Sequence, residues 1–447
     1  MPVSPARATA FDILLRVERE SSYSSELLHS NTYEKLSTPD HALATELVMG
    51  VLRWRSLLDQ LISTASSQAL KKLDLEVLIA LRLAVYQFCW LDRIPKRAAL
   101  HESVELVRRA RKKSAAPFVN AVLRKLSSQP RCSSVVKDFS AEELAKSYAH
   151  PTWLVERWMS KYGPSAASKI CVHNQVIPTA AVRLRTPNAQ SDLEKEGISL
   201  QLGALLSSAR RVQSGDVTRT QAFHNRELVI QDEASQLVAA LVGRVEKKER
   251  ILDCCAAPGG KTLAIADNNP DTEITAVEVH PHRARLMQKL WGASENKIKT
   301  VVADARTLPP SQPFDRILTD VPCSGTGTLA RNPEIKWRLA PSDLIELRER
   351  QVGILRAALV HLAPSGRLVY STCSLEKEEN EDVVEQVLAE NKSLRLLNCL
   401  PELEQLEEAG KLIWANPSTL TSGPYLRTIP GIQPCDGFFA AILEKPR

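Results

Sequence analysis

The chain has 447 residues, of which 44% are hydrophobic and 25% are charged, and its formal net charge is +6. This length predicts two or three domains, and the composition argues against a disordered or fibrous protein. The first ten residues lack the apolar core of a signal peptide and no apolar stretch is long enough to span a bilayer, so we expect a cytoplasmic protein without a membrane partner.

Helical periodicity extends through the first 135 residues, where we predict an all-α bundle. One apolar stripe includes Phe11 and Leu14, and a longer one follows Thr38-Pro39, which places a cap before a proline in the first helical turn. The same spacing predicts three further helices, at 74–91, 95–113 and 117–127. Connections are short and no strand pattern interrupts them, so these helices are expected to pack on one another.

Positive charge is concentrated in this bundle. Residues 1–135 carry 20 Lys and Arg against 13 Asp and Glu, a net charge of +7, although the whole chain is only +6. The densest basic run consists of Arg108, Arg109, Arg111, Lys112 and Lys113. Such a run suits the phosphate backbone of a nucleic acid, whose binding is driven by counterion release. A solvated helix end, whose cations face the C-terminal dipole, explains the run equally well.

The remaining sequence predicts two further domains. Residues 136–226 combine a helix at 141–162 with a strand at 179–186 and several turns, which indicates a small mixed α/β subdomain. From residue 227 to residue 447, short apolar runs alternate with helical patterns, which predicts a Rossmann-like, doubly wound parallel sheet. Its strands are predicted at 250–254, 273–279, 299–303, 314–321 and 367–371, and a last strand, at 438–443, is expected to run antiparallel at an edge.

A turn of small residues follows the first of these strands and opens a helix. Its residues are Cys255, Ala256, Ala257, Pro258, Gly259, Gly260 and Lys261. Ligands of open α/β sheets bind beyond the carboxyl ends of the strands, where glycines let the backbone approach closely. The turn matches neither G-x-x-x-x-G-K nor G-x-G-x-x-G, so the pattern disfavours a phosphate cradle.

Acidic residues end the next two strands. Glu278 lies 18 residues after Gly260, near the spacing at which an acid accepts hydrogen bonds from the ribose of a bound nucleoside. A solvated acid at a strand end is the alternative interpretation, and the upstream turn makes it less favourable. Asp304 closes the third strand, where a carboxylate could accept a hydrogen bond from the amino group of adenine.

Two cysteines reach the same edge of the predicted sheet. Cys323 follows the fourth strand, three residues after Asp320, and Cys373 follows the fifth strand between Thr372 and Ser374. A single cysteine is more often a small buried hydrophobic residue than a catalytic one. Two thiols at the ends of neighbouring strands, in loops rich in Ser, Gly and Thr, instead favour a shared catalytic role.

Several motifs resemble those of the RNA cytosine-5 methyltransferase family. In this chain they are IQDEAS at 230–235, DCCAAPGGK at 253–261, DVPCSGTG at 320–327, RNPEIKW at 331–337 and STCS at 371–374. The basic helical region, with FVNAVLR at 118–124, resembles the NusB-type RNA-binding domain. Together these resemblances cover essentially the whole chain. They imply formation of 5-methylcytosine in ribosomal RNA of the small subunit, the 16S RNA. The chain departs from the family at Val321, where alanine is usual, and at Ala330, where arginine is common.

The resemblance also implies a cofactor, S-adenosyl-L-methionine. Its site would be lined by residues 255–261, by Glu278 and Asp304, and by Asp320. These positions are the ones that the strand pattern brings to the carboxyl edge of the sheet.

The resemblance assigns the catalytic roles to four residues. Cys373 would be the nucleophile, because carbon 5 of cytosine is a poor nucleophile until a thiolate adds to carbon 6. Cys323 would assist product release. Asp320 could hold a proton near N3 of the base, and Lys261 is another candidate hydrogen-bonding group. The target base must leave any stack to be reached, which favours a loop or a locally opened RNA.

Two other functions are weighed against this one. A DNA cytosine-5 methyltransferase would use Cys323 as its nucleophile and would not need Cys373, and the basic helical domain argues against it. A non-catalytic RNA-binding or assembly factor would need neither thiol. Nine cysteines without a C-x-x-C pair, and one close histidine pair at His280 and His282, predict neither a disulfide framework nor a metal. We expect a monomer.

Overall fold

The computed structural model describes residues 3–20, 22–28, 30, 33, 36–128, 140–246, 249–291, 297–309 and 312–447. The chain divides into two compact units. The N-terminal unit comprises Met1–Ile177 and Leu329–Arg338, and the C-terminal unit comprises Pro178–Thr328 and Leu339–Arg447. These limits differ from the three domains expected at 1–135, 136–226 and 227–447, and that three-domain division stays a prediction.

The described part of the N-terminal unit is helical, as the sequence predicted. Its first eight helices are α1 (Pro5–Glu20), α2 (Ser24–Leu28), α3 (Thr38–Ala65), α4 (Leu75–Trp90), α5 (Lys96–Arg109), α6 (Ala116–Ser127), α7 (Ala141–Ser147) and α8 (Thr152–His173). Helix α3 begins at Thr38, the residue expected to cap it, but the cap is Ser37, whose side chain accepts from the backbone N–H of Asp40. Pro39 lies in the first turn, as expected. Buried side chains of α1, α3, α4, α5 and α6 form one core.

The single helix expected at 141–162 is wrong, because two helices occupy this region. Helix α7 ends before Ala149, which has a positive φ of 49°, and Pro151 precedes the first residue of α8. Proline is tolerated at the start of a helix but not in its interior, so a new helix begins after Pro151. Within α8, Gly163 has φ of 82° and Pro164 follows it, which produces a kink.

Part of the C-terminal unit is a small antiparallel sheet. Its strands are β1 (Ala181–Leu184), β2 (Ser199–Leu202), β3 (Ala209–Ser214) and β4 (Leu228–Ile230), in the order β2-β3-β1-β4, with short helices α9 (Ala189–Lys195) and α10 (Gln221–His224). A compact apolar cluster that includes Val182, Leu193 and Leu228 packs within it. The strand predicted at 179–186 corresponds to β1, whereas the helical region expected in the same subdomain, at 141–162, belongs to the N-terminal unit.

The main sheet contains nine strands. They are β5 (Arg250–Asp253), β6 (Glu273–Glu278), β7 (Ile298–Val302), β8 (Phe314–Asp320), β9 (Leu362–Thr372), β10 (Arg395–Leu397), β11 (Thr421–Ser422), β12 (Tyr425–Arg427) and β13 (Phe439–Glu444). The order is β11-β12-β13-β9-β8-β5-β6-β7, and β10 also pairs with β13. Strands β5 to β9 are parallel, so the doubly wound parallel core is confirmed.

Strand β13 runs antiparallel to β9, as expected, but it does not lie at an edge. Its other side pairs with β12 near Phe439 and with β10 near Glu444. The prediction of an edge strand is therefore wrong. Strands β10, β11 and β12 have only two or three residues each, which is too short for a periodic signal. Strands β10 and β12 pair with β13, and β11 pairs with β12.

Helices cover both faces of this sheet. In chain order they are α11 (Glu233–Leu241), α12 (Gly260–Asn268), α13 (Pro281–Trp291), α15 (Pro341–Val360), α16 (Glu381–Glu390) and α17 (Cys399–Glu408). The short helix α14 (Ile335–Arg338) belongs to the N-terminal unit. Ile251 packs with α11, α12 and α17, and its neighbour Leu252 packs with α15 and α16. Alternate residues of β5 therefore face opposite cores, as a strand buried on both faces requires.

The segment Leu329–Arg338 packs inside the N-terminal unit, although it directly follows the loop of Cys323. Glu334 accepts from the backbone N–H and the hydroxyl of Ser24, both at 2.9 Å. Lys336 is buried and donates to the Arg53 carbonyl at 2.9 Å, and burial holds the pKa of its ammonium well below the usual value. The carbonyl of Ala330 accepts from the Arg53 guanidinium at 3.0 Å. The RNPEIKW motif is thus an anchor within the helical unit.

Across the described ranges of the chain, none of the helices combines the length and the apolarity that crossing a membrane would take.

Candidate active site

The small-residue turn lies at the carboxyl end of β5, between β6 and β8, where the strand order of the parallel sheet reverses. Gly259 caps helix α12 with a left-handed φ of 108°, which favours glycine. A Cβ atom there would also lie 3.0 Å from the ring of Trp291. The backbone N–H of Ala256 donates to the Val277 carbonyl at 2.9 Å, which ties the turn to β6. A ligand can therefore approach bare backbone at this switch point.

Asp253, the last residue of β5, supports the turn from beneath. Its carboxylate is buried and accepts from the Thr262 hydroxyl at 2.7 Å. Burial is the main cause that raises the pKa of Asp253 to about 7, and the bond from Thr262 opposes this effect. This contact links the end of the strand to the first turn of α12.

The two acids expected beside a nucleoside lie at the ends of β6 and β7. Glu278 is buried, accepts from the backbone N–H of His280 at 2.8 Å, and has Arg283 3.8 Å from its other oxygen. Asp304 accepts from the backbone N–H of Arg306 at 2.9 Å and pairs with its guanidinium at 2.6 Å. The hydrogen bonds from Arg306 hold the pKa of Asp304 below its usual range. Both carboxylates can accept hydrogen bonds, which fits the hydroxyl and amino donors of a nucleoside.

The two thiols meet at the ends of β8 and β9. The Sγ atoms of Cys323 and Cys373 are 3.4 Å apart, within hydrogen-bond distance for sulfur. The hydrogen bond that Cys323 shares with Cys373 and burial, followed by the charges of Cys373, Glu379 and Asp320, raise the pKa of Cys323 well above its usual value. Cys323 therefore keeps its proton near neutral pH and can donate it toward the sulfur of Cys373.

Lys261 and Asp320 form an ion pair next to the thiols. The Nζ atom of Lys261 lies 2.7 Å from Oδ2 of Asp320 and 4.9 Å from the ring centre of Phe438. Ser371 donates to the other carboxylate oxygen at 2.8 Å. Burial opposes a charge on Lys261, but Asp320 and then the nearby Cys373 outweigh that cost and raise the pKa of the ammonium. Lys261 therefore stays charged beside Asp320.

Glycines bring the two cysteine loops into direct backbone contact. The N–H of Gly327 donates to the carbonyl of Cys373 at 2.9 Å, and the N–H of Gly437 donates to the carbonyl of Gly327 at 2.8 Å. A Cβ atom at Gly327 would lie only 2.1 Å from the oxygen of Gly437. No side chain larger than hydrogen fits there without displacing the loop that carries Cys323.

The structure brings together most of the residues that the sequence singled out, but it also reveals one that the sequence did not. Glu379 is buried and contacts both Ser324 and Ser374, the residues that follow the two cysteines. Its local sequence, Glu376 to Glu381, contains four glutamates, of which Glu376 is also buried, and no spacing distinguishes Glu379 from the others. Within the described ranges, no cluster of three or more metal-ligating side chains occurs.

Family profiles match both parts of the chain. The profile of the 16S rRNA methyltransferase RsmB/F matches residues 240–444, and that of the NusB family matches residues 4–128. The probable ribosomal RNA small subunit methyltransferase B of Bacillus subtilis (strain 168) is 32% identical over 460 residues, which cover 100% of each chain. The ribosomal RNA small subunit methyltransferase B of Cronobacter sakazakii is also 32% identical, over 92% of each chain.

Solved structures give a matching result for the fold. The crystal structure of PH0851 superposes with a TM-score of 0.82 and 22% sequence identity, and the superposition covers 100% of each chain. At that identity, the likeness shows a common fold.

Proposed function

The chain belongs to the RsmB/F family of 16S rRNA methyltransferases, and on that premise we propose that it methylates carbon 5 of a cytosine in small-subunit ribosomal RNA. The observation that supports this proposal best is the separation of 3.4 Å between the thiols of Cys323 and Cys373. Addition to cytosine needs one thiolate, and release of the product needs a second group beside the same sulfur.

S-adenosylmethionine is the methyl donor, and when bound it supplies a methyl group on a sulfonium sulfur that the activated carbon 5 accepts. The turn at 255–261 and the carboxylates of Glu278 and Asp304 would hold its nucleoside. Asp320, at the end of β8, would line the site on the side of the thiols. The donor and acceptor types of these residues fit the group.

Cys373 starts the reaction. Its thiolate adds to carbon 6 of the cytosine, the double bond between carbons 5 and 6 opens, and N3 takes up a proton. The pair of Lys261 and Asp320 supplies that proton. Lys261 donates to Asp320 at 2.7 Å, and the proton passes from the Lys261 ammonium through the Asp320 carboxylate to N3. The adduct makes carbon 5 nucleophilic enough to accept the methyl group.

Cys323 acts at the end of the reaction. After methylation, the hydrogen of carbon 5 passes as a proton to water, and its electron pair restores the double bond between carbons 5 and 6. The bond between carbon 6 and the Cys373 sulfur breaks, and its electron pair stays on the sulfur. Cys323 donates a hydrogen bond to the departing thiolate, which the raised pKa of its own thiol favours. N3 returns its proton to the pair of Lys261 and Asp320, and the starting state is recovered.

Two variants test the division of labour between the cysteines. Cys373→Ala should form no adduct and should lose turnover by several orders of magnitude while it still binds RNA and cofactor. Cys323→Ala should accumulate a protein–RNA species that survives denaturing electrophoresis and requires both S-adenosylmethionine and Cys373. Cys399→Ala is a matched control, because Cys399 is a buried thiol that lies at the start of α17.

The outcomes separate the competing functions. A trapped complex in Cys373→Ala and none in Cys323→Ala would make Cys323 the nucleophile, as in DNA cytosine-5 methyltransferases. Full activity in both variants would contradict covalent catalysis. If the wild-type protein binds RNA but transfers no methyl group to it, the protein is a non-catalytic RNA-binding factor. Bisulfite sequencing of ribosomal RNA from a deletion strain would identify the modified cytosine.

A further inference from the structure

Glu379 lies between the two cysteine loops and takes no part in the reaction described above. It ends the short turn Lys377–Glu379, which follows strand β9, and its side chain is 0% exposed. A buried carboxylate is costly unless it is paired or fully hydrogen-bonded. In the described part of the chain, its stabilising contacts come from hydrogen-bond donors and not from a cation.

Four hydrogen bonds converge on this carboxylate. Oε1 accepts from the backbone N–H of Ser324 at 2.8 Å and from the Gln351 amide at 2.9 Å. Oε2 accepts from the hydroxyls of Ser324 and Ser374, whose oxygens are 3.1 Å apart. Burial raises the pKa of Glu379, whereas these donors favour its ionised form. The ionised carboxylate is the form that accepts all four.

The donors are placed one residue beyond each thiol. Ser324 directly follows Cys323, and Ser374 directly follows Cys373. The ladder between β8 and β9 ends where Asp320 pairs with Ser371, so the sheet itself does not set the distance between the two loops. Beyond the ladder, the backbone hydrogen bond from Gly327 to Cys373 joins the two loops, and the carboxylate of Glu379 joins the residues that follow the two thiols.

Gln351 adds a second connection. Its amide donates to Glu379 and also to the carbonyl of Pro322 at 3.0 Å, one residue before Cys323. The Tyr370 hydroxyl donates to the backbone carbonyl of Glu379 at 2.6 Å, which holds the turn against β9. The carboxylate is thus fixed by its own backbone and by a helix, α15, that packs on the same side of the sheet.

We propose that Glu379 is a positioning residue for the methyltransferase site: its ionised carboxylate binds the residues after both cysteines and holds the two thiols at their short separation. The inference rests on the proposed function for its effect on catalysis, but the effect on thiol geometry is independent of any substrate. A displacement of about 1 Å at a reacting group can cost about 10²-fold in turnover.

Disulfide closure measures the thiol separation without RNA or cofactor. With diamide as oxidant, Cys323 and Cys373 each lose one hydrogen atom to the reagent and form one S–S bond, which peptide mass spectrometry detects. Glu379→Ala should slow this closure at least about tenfold. Glu379→Gln keeps an oxygen for Ser324 and Gln351 and lets the serine hydroxyls accept, so it should recover most of the rate. The matched control Glu390→Gln removes an exposed charge from α16 and should close at the wild-type rate.

Steady-state methylation supplies the second measurement. Glu379→Ala should lower kcat by about 10²-fold while KM for RNA and for S-adenosylmethionine changes less than about threefold. Glu379→Gln should again lie close to wild type. A residue with a merely structural role would lower the fraction of folded enzyme and would not slow thiol closure in the folded fraction.

Wild-type closure in folded Glu379→Ala would overturn the proposal, and so would an equal loss in Glu390→Gln. If Glu379→Ala does not fold, Ser374→Ala decides the question, because it removes one hydroxyl from the bridge. Slower closure supports the proposal and unchanged closure overturns it. If the wild-type enzyme transfers no methyl group to cytosine, the proposed function fails, while the closure rates still decide the role of Glu379.

Discussion

Replacing Asp320 with asparagine should leave the ammonium of Lys261 buried without a counter-charge. In the wild-type protein the two side chains are 22% and 13% exposed and lie 2.7 Å apart. Removing one partner of a buried ion pair typically costs about 3–5 kcal/mol, and the remaining exposure of this pair lowers the expected loss to about 2–4 kcal/mol at pH 7. Lys261 can also lose its proton, and deprotonating an ordinary lysine at pH 7 costs about 4–5 kcal/mol. The destabilisation of the variant cannot exceed that value.

The change in stability with pH has a definite direction, which follows from the pKa of Lys261. In the wild-type protein the pKa of Lys261 is raised in the folded state. The contribution of Lys261 to stability is therefore fully present below its unfolded pKa of about 10.4. It is lost only as the pH rises through the folded pKa. In Asp320→Asn, burial should outweigh the remaining charges of Cys373 and Asp253 and lower the folded pKa of Lys261. The unfolded state then binds more protons, so the stability of the variant rises with pH by up to about 1.4 kcal/mol per unit.

Urea denaturation of both proteins between pH 6 and pH 9.5 measures the effect. The gap in unfolding free energy should be largest at pH 6 and should narrow toward pH 9.5. Asp192→Asn is the control, because Asp192 pairs with Lys195 on the surface, and it should produce no measurable change at any pH. A gap that stays constant across this range, or no gap at pH 7, would refute the assignment of a charged, buried pair.

Two further predictions concern the cofactor and the RNA. Glu278→Ala should weaken S-adenosylmethionine binding by about 1.5–3 kcal/mol, the cost of lost charge-assisted hydrogen bonds, and calorimetry with unchanged affinity would show that Glu278 does not meet the ribose. Lys113→Glu with Arg124→Glu, both exposed in the N-terminal unit, should weaken RNA binding and reduce its salt slope by about 0.7–0.9 per lost phosphate contact. An unchanged slope would show that these cations are solvated surface residues and do not contact RNA. For part of the basic run, the ion pairs of Arg109 with Asp12 and of Lys112 with Asp74 already favour that interpretation.

Much of the fold was predictable because the signals are local. Alternating apolar runs and helical stripes depend only on neighbouring residues, and parallel strands necessarily place their carboxyl ends at one edge. That rule was sufficient to predict that Cys323 and Cys373 approach each other, whereas the family resemblance was needed to single out Lys261 and Asp320. The turn before α12 was equally visible, since Gly259 adopts the left-handed conformation that its small-residue context suggests.

Contacts between distant parts of the chain decided the rest. The sequence contains no sign that Glu334 binds Ser24, 310 residues away, because such a contact depends on how the helices pack and not on any period. Glu379 is one of several neighbouring glutamates, and only the tertiary structure selects the one that the serines after both cysteines surround. Local order thus determined which groups reach the active edge, whereas packing determined which group sets the distance between them.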